Sequence, residues 1–329
     1  MPHRCMKLFD GIHQIGVKME RATHLFVYLF TGENSFLLDT GLAETPKDTV
    51  APYLDGVGLK PTDLSLAVIT HCDPDHFGGN SNIKALNLKT LLAVHHEDAD
   101  MASDPETVMK LRLGEFGKDH HVFYSAETLN AVRAMMGSAV PIDLLLSGRE
   151  KLYVGDDLVL EVMHTPGHTR GSISLLDHRD NAVFIGDAVL GKFVPGVDGK
   201  PALAPTYRYV DEYLTTIKTL QDLKPRYIYS THFPAMEGSD ALKFLDESRK
   251  FVVVLENEIQ KIVREGGDPV PMKKMIREAN ARLKICPEPA ELDLAFPITG
   301  HLERLVRKKK LKALPTSPLT YRISKQGRK

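Results

Sequence analysis

The 329-residue chain predicts an α/β protein with a smaller, mainly helical C-terminal part. Three observations predict it. Short apolar runs of strand length alternate with helical stretches as far as about residue 240. Several of those runs end directly on His or Asp residues, as happens where α/β folds place their sites. Beyond Gly238 the strand signals stop, and long helical patterns take over.

In chain order, Leu25–Phe30 and Ser35–Asp39 flank a Thr-Gly-Glu-Asn turn and predict a β-hairpin. Thr45 to Gly56 reads as a short helix. Leu64–Thr70 is an apolar run ending on His71, the pattern of a strand buried on both faces. Leu91–Val94 predicts another strand. Residues 103–138 are polar and helical, and read as an insertion that forms either a lid or an oligomer contact. Strands resume at Leu158–Met163, Ser172–Leu176 and Ala182–Ile185. Asp211–Leu223 predicts a helix, and Arg226–Ser230 a last strand ending on Thr231-His232. Ser239 is a plausible N-cap for a helix from Asp240 to Glu265, stopped by Gly266-Gly267-Asp268-Pro269. Helices over Met272–Leu283 and Thr299–Lys310 follow, and Ser324–Lys329 is expected to be disordered. The boundaries are thus 1–240 for a catalytic domain and 241–329 for a helical domain.

Composition is that of an ordinary globular protein, 43% hydrophobic and 26% charged. A net charge of −1 gives the whole molecule no general pull toward nucleic acid or anionic membrane. Cys5, Cys72 and Cys286 are too sparse and too far apart for a zinc ribbon or a disulfide scaffold. The first residues lack an apolar signal region, and no apolar run approaches a membrane span, so the expectation is a soluble, cytoplasmic protein.

Four places carry the chemistry. They are His71-x-Asp73-x-Asp75-His76, then Gly167-His168-Thr169, then Gly186-Asp187, then Thr231-His232. Each follows a strand, and imidazole with carboxylate is a donor set for divalent metals. The order and local context resemble the metallo-β-lactamase superfamily, which has an H-x-[HDE]-x-D-H motif, a Gly-His-Thr, a Gly-Asp and a final His. Asp39-Thr40-Gly41 after the hairpin is also similar to that family. The resemblance covers about residues 7–240 and implies a four-layer αββα sandwich with two divalent metal ions at one edge. It implies that His71, Asp73 and His168 hold one metal, that Asp75, His76 and His232 hold the other, and that Asp187 bridges them. Asp39 would orient a ligand His from behind. It further implies a metal-bridging hydroxide as nucleophile, with Asp75 also helping to orient the attacking water.

Asp73 stands where the commonest form of that motif has His. A carboxylate there hardens the site and shifts preference from zinc toward iron or manganese, so metal identity stays open. The leading expectation is hydrolysis of a small ester, thioester or lactone. The alternatives are an RNA nuclease, or a diiron oxygen or peroxide oxidoreductase.

Other residues are weighed beside these. Cys72 is expected to face away from the metals and His164 to pack under its loop. His95-His96 and His120-His121 are expected on solvated surface. Tyr207 and Arg208 are candidate substrate contacts, against the competing reading of a surface salt bridge. Residues 301–329 hold ten Lys or Arg against one acid. The His301-Leu302 segment resembles a winged-helix-like tail that follows some members of the family. That tail leaves nucleic acid open as a partner, although a solvated basic face is the preferred reading. A homo-oligomer is also open.

Overall fold

The computed structural model describes residues 5–18, 23–267 and 269–324. One sheet contains β1 (Met6–Phe9), β2 (Ile12–Gly16), β3 (Phe26–Phe30), β4 (Phe36–Leu38), β5 (Leu66–Ile69), β6 (Leu91–His95) and β7 (Leu144–Leu146), in that order. Its first four strands are antiparallel, and β4 through β7 are parallel. The second sheet runs from β8 (Lys151–Gly155) through β9 (Leu158–His164), β10 (Ile173–Asp177) and β11 (Ala182–Phe184). Tyr227–Tyr229 and Met236–Glu237 complete it.

Alternation along buried strands builds the layers. Tyr28, Phe30, Phe36 and Leu38 point between the sheets and meet Leu160, Leu175 and Phe184. Their neighbours Val27, Leu29 and Leu37 point outward, under Val50, Leu54 and Ile83 of the covering helices. On the other side Leu176 and Val183 meet Tyr213 and Ile217 of the Val210–Leu223 helix. A strand with period two and apolar residues on both faces must be covered twice. The result is the four-layer αββα sandwich, with each fully buried Leu or Phe worth roughly 1.5–3 kcal/mol.

The insertion expected at 103–138 lies between β6 and β7 as a chain of short helical turns, Pro105–Val108, Met109–Leu113, Gly117–His120 and Ala126–Ala134. The C-terminal part contains helices Ser239–Glu265, Met272–Leu283 and Ala295–Arg307. The long helix starts on Ser239 itself. Gly238 occupies the N-cap at φ +55°, which corrects the expected Ser239 cap. These helices share one apolar core with the outer face of the second sheet. A three-stranded sheet of Val270–Pro271, Thr320–Ile323 and Leu311–Leu314 accompanies these helices, and none of its strands stands out in the sequence. Its strands are too short to show an apolar period. Ser324 is hydrogen-bonded to Lys310, and the rest of the expected disordered tail lies outside the described residues. Among the described residues no helix is long and apolar enough to cross a membrane.

Candidate metal centre and active-site cleft

Sheet topology gathers the site. β4 and β5 are parallel, so Asp39 and His71 leave the first sheet at the same end. β11 and Tyr227–Tyr229 are parallel too, so Asp187 and His232 leave the second sheet together. The turn joining β9 to β10 carries His168. The two edges are tied by main-chain hydrogen bonds, Ile173 N–H donating to Thr70 O at 2.9 Å and Phe26 N–H to Thr231 O at 3.0 Å. Gly167 has φ +139°, and a Cβ there would come within 2.5 Å of Tyr213 Cα. Glycine is therefore what lets the His168 loop sit against the Val210–Leu223 helix. Asp75 and His76 ride on a single turn, Pro74–Phe77, with Pro at its start.

The four imidazoles share one arrangement. His76 Nδ1 pairs with Asp39 Oδ2 at 2.8 Å. His232 Nδ1 donates to the His24 carbonyl at 2.8 Å. His71 Nδ1 lies 3.0 Å from Thr70 Oγ1, and His168 Nδ1 lies 3.4 Å from Thr206 Oγ1. Each ring is thus held by Nδ1 and presents Nε2 inward, the tautomer a metal ligand needs. Asp39 has φ +62°, a left-handed conformation that Asp tolerates. Its carboxylate is fixed by Thr70 N–H at 2.7 Å and Thr70 Oγ1 at 2.9 Å.

Donor atoms converge in two trios, His71/His168/Asp187 and Asp75/His76/His232, each with its donors within 4.8 Å of one another. Asp187 reaches the second trio as well, its Oδ2 lying 3.3 Å from His232 Nε2 and 3.7 Å from His76 Nε2. His232 Nε2 is also 3.3 Å from Asp75 Oδ2. His71 Nε2, His76 Nε2 and Asp187 Oδ1 are buried with no hydrogen-bond partner. Buried polar atoms are rarely left unpaired, because each costs about 1–3 kcal/mol. Orphans at the focus of both trios fit divalent metal ions. The charge balance agrees. Burial pushes Asp187 up, but His232 and His76 outweigh it and hold the carboxyl well below the usual range.

Asp73 lies beside His168 and His71, as the resemblance implies, but an arginine shares it. Its carboxylate is gripped by Arg112 through both oxygens, with Arg112 Nη2 to Oδ2 at 2.9 Å. Oδ2 is also 2.9 Å from His168 Nε2 and 3.7 Å from His71 Nε2. Asp187 joins His71 and His168 in the donor trio on this side.

Six of the seven expected ligands therefore meet in the two trios, and Asp39 stands behind His76 as expected. Tyr207 and Arg208 are not substrate contacts. Tyr207 is fully buried and bonded to His301 at 3.0 Å. Arg208 is buried between Glu303 and Glu115. Neither lines the cleft. Cys72 faces away, its N–H donating to Asp98 and its thiol lying against Met101.

His95 and His120 are buried rather than solvated, packed on His164 and near Tyr321 respectively. His95, Glu97 and His164 also bring donors within 4.8 Å of one another. However, the His95 and His164 rings stack at 4.1 Å and 12°, so their in-plane lone pairs run side by side instead of meeting.

The cleft over the trios holds about 120 Å³ of free space. Its walls come from the insertion (Val108, Arg112, Leu113, Tyr124, Val132) and from Asp293 and Phe296 beside the last long helix. Tyr124 donates to Asp293 at 2.8 Å, joining the two walls. Arg112, Tyr124 and Phe296 were not legible as site residues, since nothing in their local sequence marks them.

An αββα sandwich with His and Asp side chains converging at one strand edge defines a metal-binding hydrolase. Residues 22–232 match the family model of the metallo-beta-lactamase superfamily, and the chain belongs to that superfamily. It is 30% identical to human acyl-coenzyme A thioesterase MBLAC2 over 67% of this chain and 75% of that protein. It is 26% identical to a beta-lactamase-like protein 2 homolog of Caenorhabditis elegans, over 72% and 68%. Among solved structures, a metallo-beta-lactamase family protein from Thermus thermophilus shares the fold at TM-score 0.75 and 22% identity, covering 96% of this chain and all of that one. A beta-lactamase domain protein from Burkholderia ambifaria aligns at TM-score 0.74 and 14% identity, covering 98% and 94%.

Proposed function

We propose that the chain hydrolyses small acyl thioesters with the help of two divalent metal ions. The observation that carries this reading is the juxtaposition of two donor trios with an apolar cleft. Val108, Leu113, Val132 and Phe296 offer an acyl group a dry wall directly above the donors. The similarity to a protein named as an acyl-coenzyme A thioesterase favours a thioester over an oxygen ester or lactone. His71, His168 and Asp187 would hold one ion, and Asp75, His76 and His232 the other. When bound, the ions acidify water and polarise the substrate carbonyl.

The chain's own residues do the rest. Asp75 lies on the cleft wall with Oδ2 within 3.3 Å of His232, where it can accept a hydrogen bond from the attacking water and orient it. Asp39, Thr70 and Thr206 lock the imidazoles so that no reorganisation is needed on substrate arrival. The Tyr124–Asp293 contact ties the insertion wall of the cleft to its C-terminal wall. Water adds to the carbonyl carbon, the C–S bond breaks, and the thiolate leaves to take up a proton.

The test is a substrate panel run on protein of measured metal content. It would contain acyl-coenzyme A esters of graded chain length, simple oxygen esters, lactones and a single-stranded RNA. Thioester turnover that is lost on chelation and regained with metal is the expected result. Chelation-sensitive RNA cleavage without thioester turnover would replace this reading with the nuclease one. Two bound irons with an oxygen-sensitive absorption band would favour the oxidoreductase.

A further inference from the structure

We propose that Arg112 is a positioning residue that withdraws Asp73 from metal binding and so makes the two metal sites unequal. This rests on the metal-dependent reading above and goes beyond it. The site nearest Arg112 would bind weakly, and the Asp75/His76/His232 site tightly.

The two halves differ in what surrounds them. The Asp75/His76/His232 half has a carboxylate of its own, Asp75, and reaches a second in Asp187 at 3.3 Å from His232. His76 is backed by the Asp39 carboxylate at 2.8 Å, which makes its Nε2 a stronger donor. No arginine or lysine hydrogen-bonds to Asp75, Asp187 or Asp39 among the described residues.

The His71/His168 half shares Asp187 with the other, but its two rings have only neutral backing. Its rings are held by the hydroxyls of Thr70 and Thr206. The carboxylate placed to serve it, Asp73, is paired with the guanidinium through both oxygens. A bidentate pair of this kind takes a lone pair of each oxygen and neutralises the carboxylate's charge, which weakens it as a ligand. Arg112 Nη2 also lies 3.2 Å from His168 Nε2, the very atom that would ligate. A metal arriving there meets a fixed positive charge at close range, in a buried setting where screening is poor.

Arg112 is not free to swing away. It is 7% exposed, its guanidinium lies 4.7 Å from the centre of the Phe296 ring, and it belongs to the wide helical turn Met109–Leu113 of the insertion. The insertion and the C-terminal part therefore jointly hold the group that sets metal affinity at the first site.

The experiment is a zinc titration of metal-stripped protein against a chromophoric chelator, with zinc as the only probe and no substrate present. Wild-type protein is expected to bind in two steps separated by at least about tenfold, following the usual size of such tuning effects. Arg112→Met should tighten the weaker step by about tenfold or more and leave the stronger step in place. Asp73→Asn added to Arg112→Met should cancel most of that gain, because the released carboxylate supplies it. A single tight step for two equivalents in wild-type protein overturns the proposal. So does a weaker step that Arg112→Met leaves unchanged or weakens further. If Arg112→Met fails to give a native circular-dichroism spectrum, Arg112→Lys, which cannot grip both oxygens at once, takes its place, and a weaker step that it leaves unchanged or weakens overturns the proposal. Zinc bound in two unequal steps by a protein that turns over no thioester leaves this inference standing and sinks only the substrate assignment. No zinc bound by either form sinks both.

Discussion

The Tyr207 hydroxyl donates to His301 Nε2 across 3.0 Å, deep inside the core that joins the His168 loop region to the C-terminal helices. Tyr207 stacks on Tyr213, and His301 Nδ1 faces Glu256 at 3.4 Å. A tyrosine on the loop after Asp187, which from sequence could have faced substrate, is a structural pin. Tyr207→Phe leaves His301 Nε2 buried and unpaired, so folding stability should fall by about 1–3 kcal/mol. Turnover per folded molecule should stay within roughly twofold, since no contact with reacting groups is removed. Urea unfolding and steady-state kinetics on the same preparation check both. A large rise in KM would return Tyr207 to the substrate site.

Asp39→Asn tests the support behind the metal centre. Asparagine fits the left-handed backbone and nearly the same volume, so the fold should survive. It removes the charged acceptor for His76 Nδ1–H, now at 2.8 Å. Metal affinity should drop by about 10–100-fold, as measured by competition with a chelator. An unchanged affinity would mean that the ring is oriented well enough by Thr70 alone.

The difference between Asp39 and Arg112 explains how far sequence reading reached. Asp39, His71, His168, Asp187 and His232 all follow strands whose apolar runs are plain in the sequence. Parallel pairing then brings their ends together by topology alone. The sandwich was legible for the same reason, since strands apolar on both faces demand two coverings. Arg112 sits in a run of short turns with no strand or long helix to fix its direction. Its partner Asp73 is 39 positions away, and only the folded insertion brings the two together. Arg208 forms the salt bridge of the competing reading, but a buried one. It was noticed for its loop, but Glu115 and Glu303, its partners, come from segments far along the chain on either side. The lesson concerns range: ligands at strand ends are local features, and ion pairs between insertions are not.

Metal removal should loosen the fold as well as stop turnover. Without ions, His71 Nε2, His76 Nε2 and Asp187 Oδ1 remain buried and unpaired. A ligand present at 100 times its Kd stabilises the native state by about 2.7 kcal/mol. Chelation should therefore lower the melting temperature measurably, and stoichiometric metal should restore it. A melting curve that ignores the chelator would count against metal binding at either trio.

Acid should weaken the C-terminal packing in two stages. Burial pulls His301 below its ordinary 6.5, more than Glu256 raises it, so the folded protein keeps this ring neutral. The unfolded chain then takes up the proton first, and stability declines as pH drops below 6.5. Glu256 acts lower on the scale. Burial pushes its carboxyl up, but His301 and Arg304 pull it further down, from 4.5 to about 2. Its contribution is complete above 4.5 and is lost as pH falls toward 2. Glu256→Gln should consequently be less stable than wild type at neutral pH, with the gap closing as the pH drops below 4.5. Urea midpoints for both proteins, measured from neutral pH down to about pH 3 on metal-loaded samples, give the comparison. A gap that stays constant through the acid range would show that the Glu256 contact to His301 and Arg304 contributes packing but no charge-dependent stability.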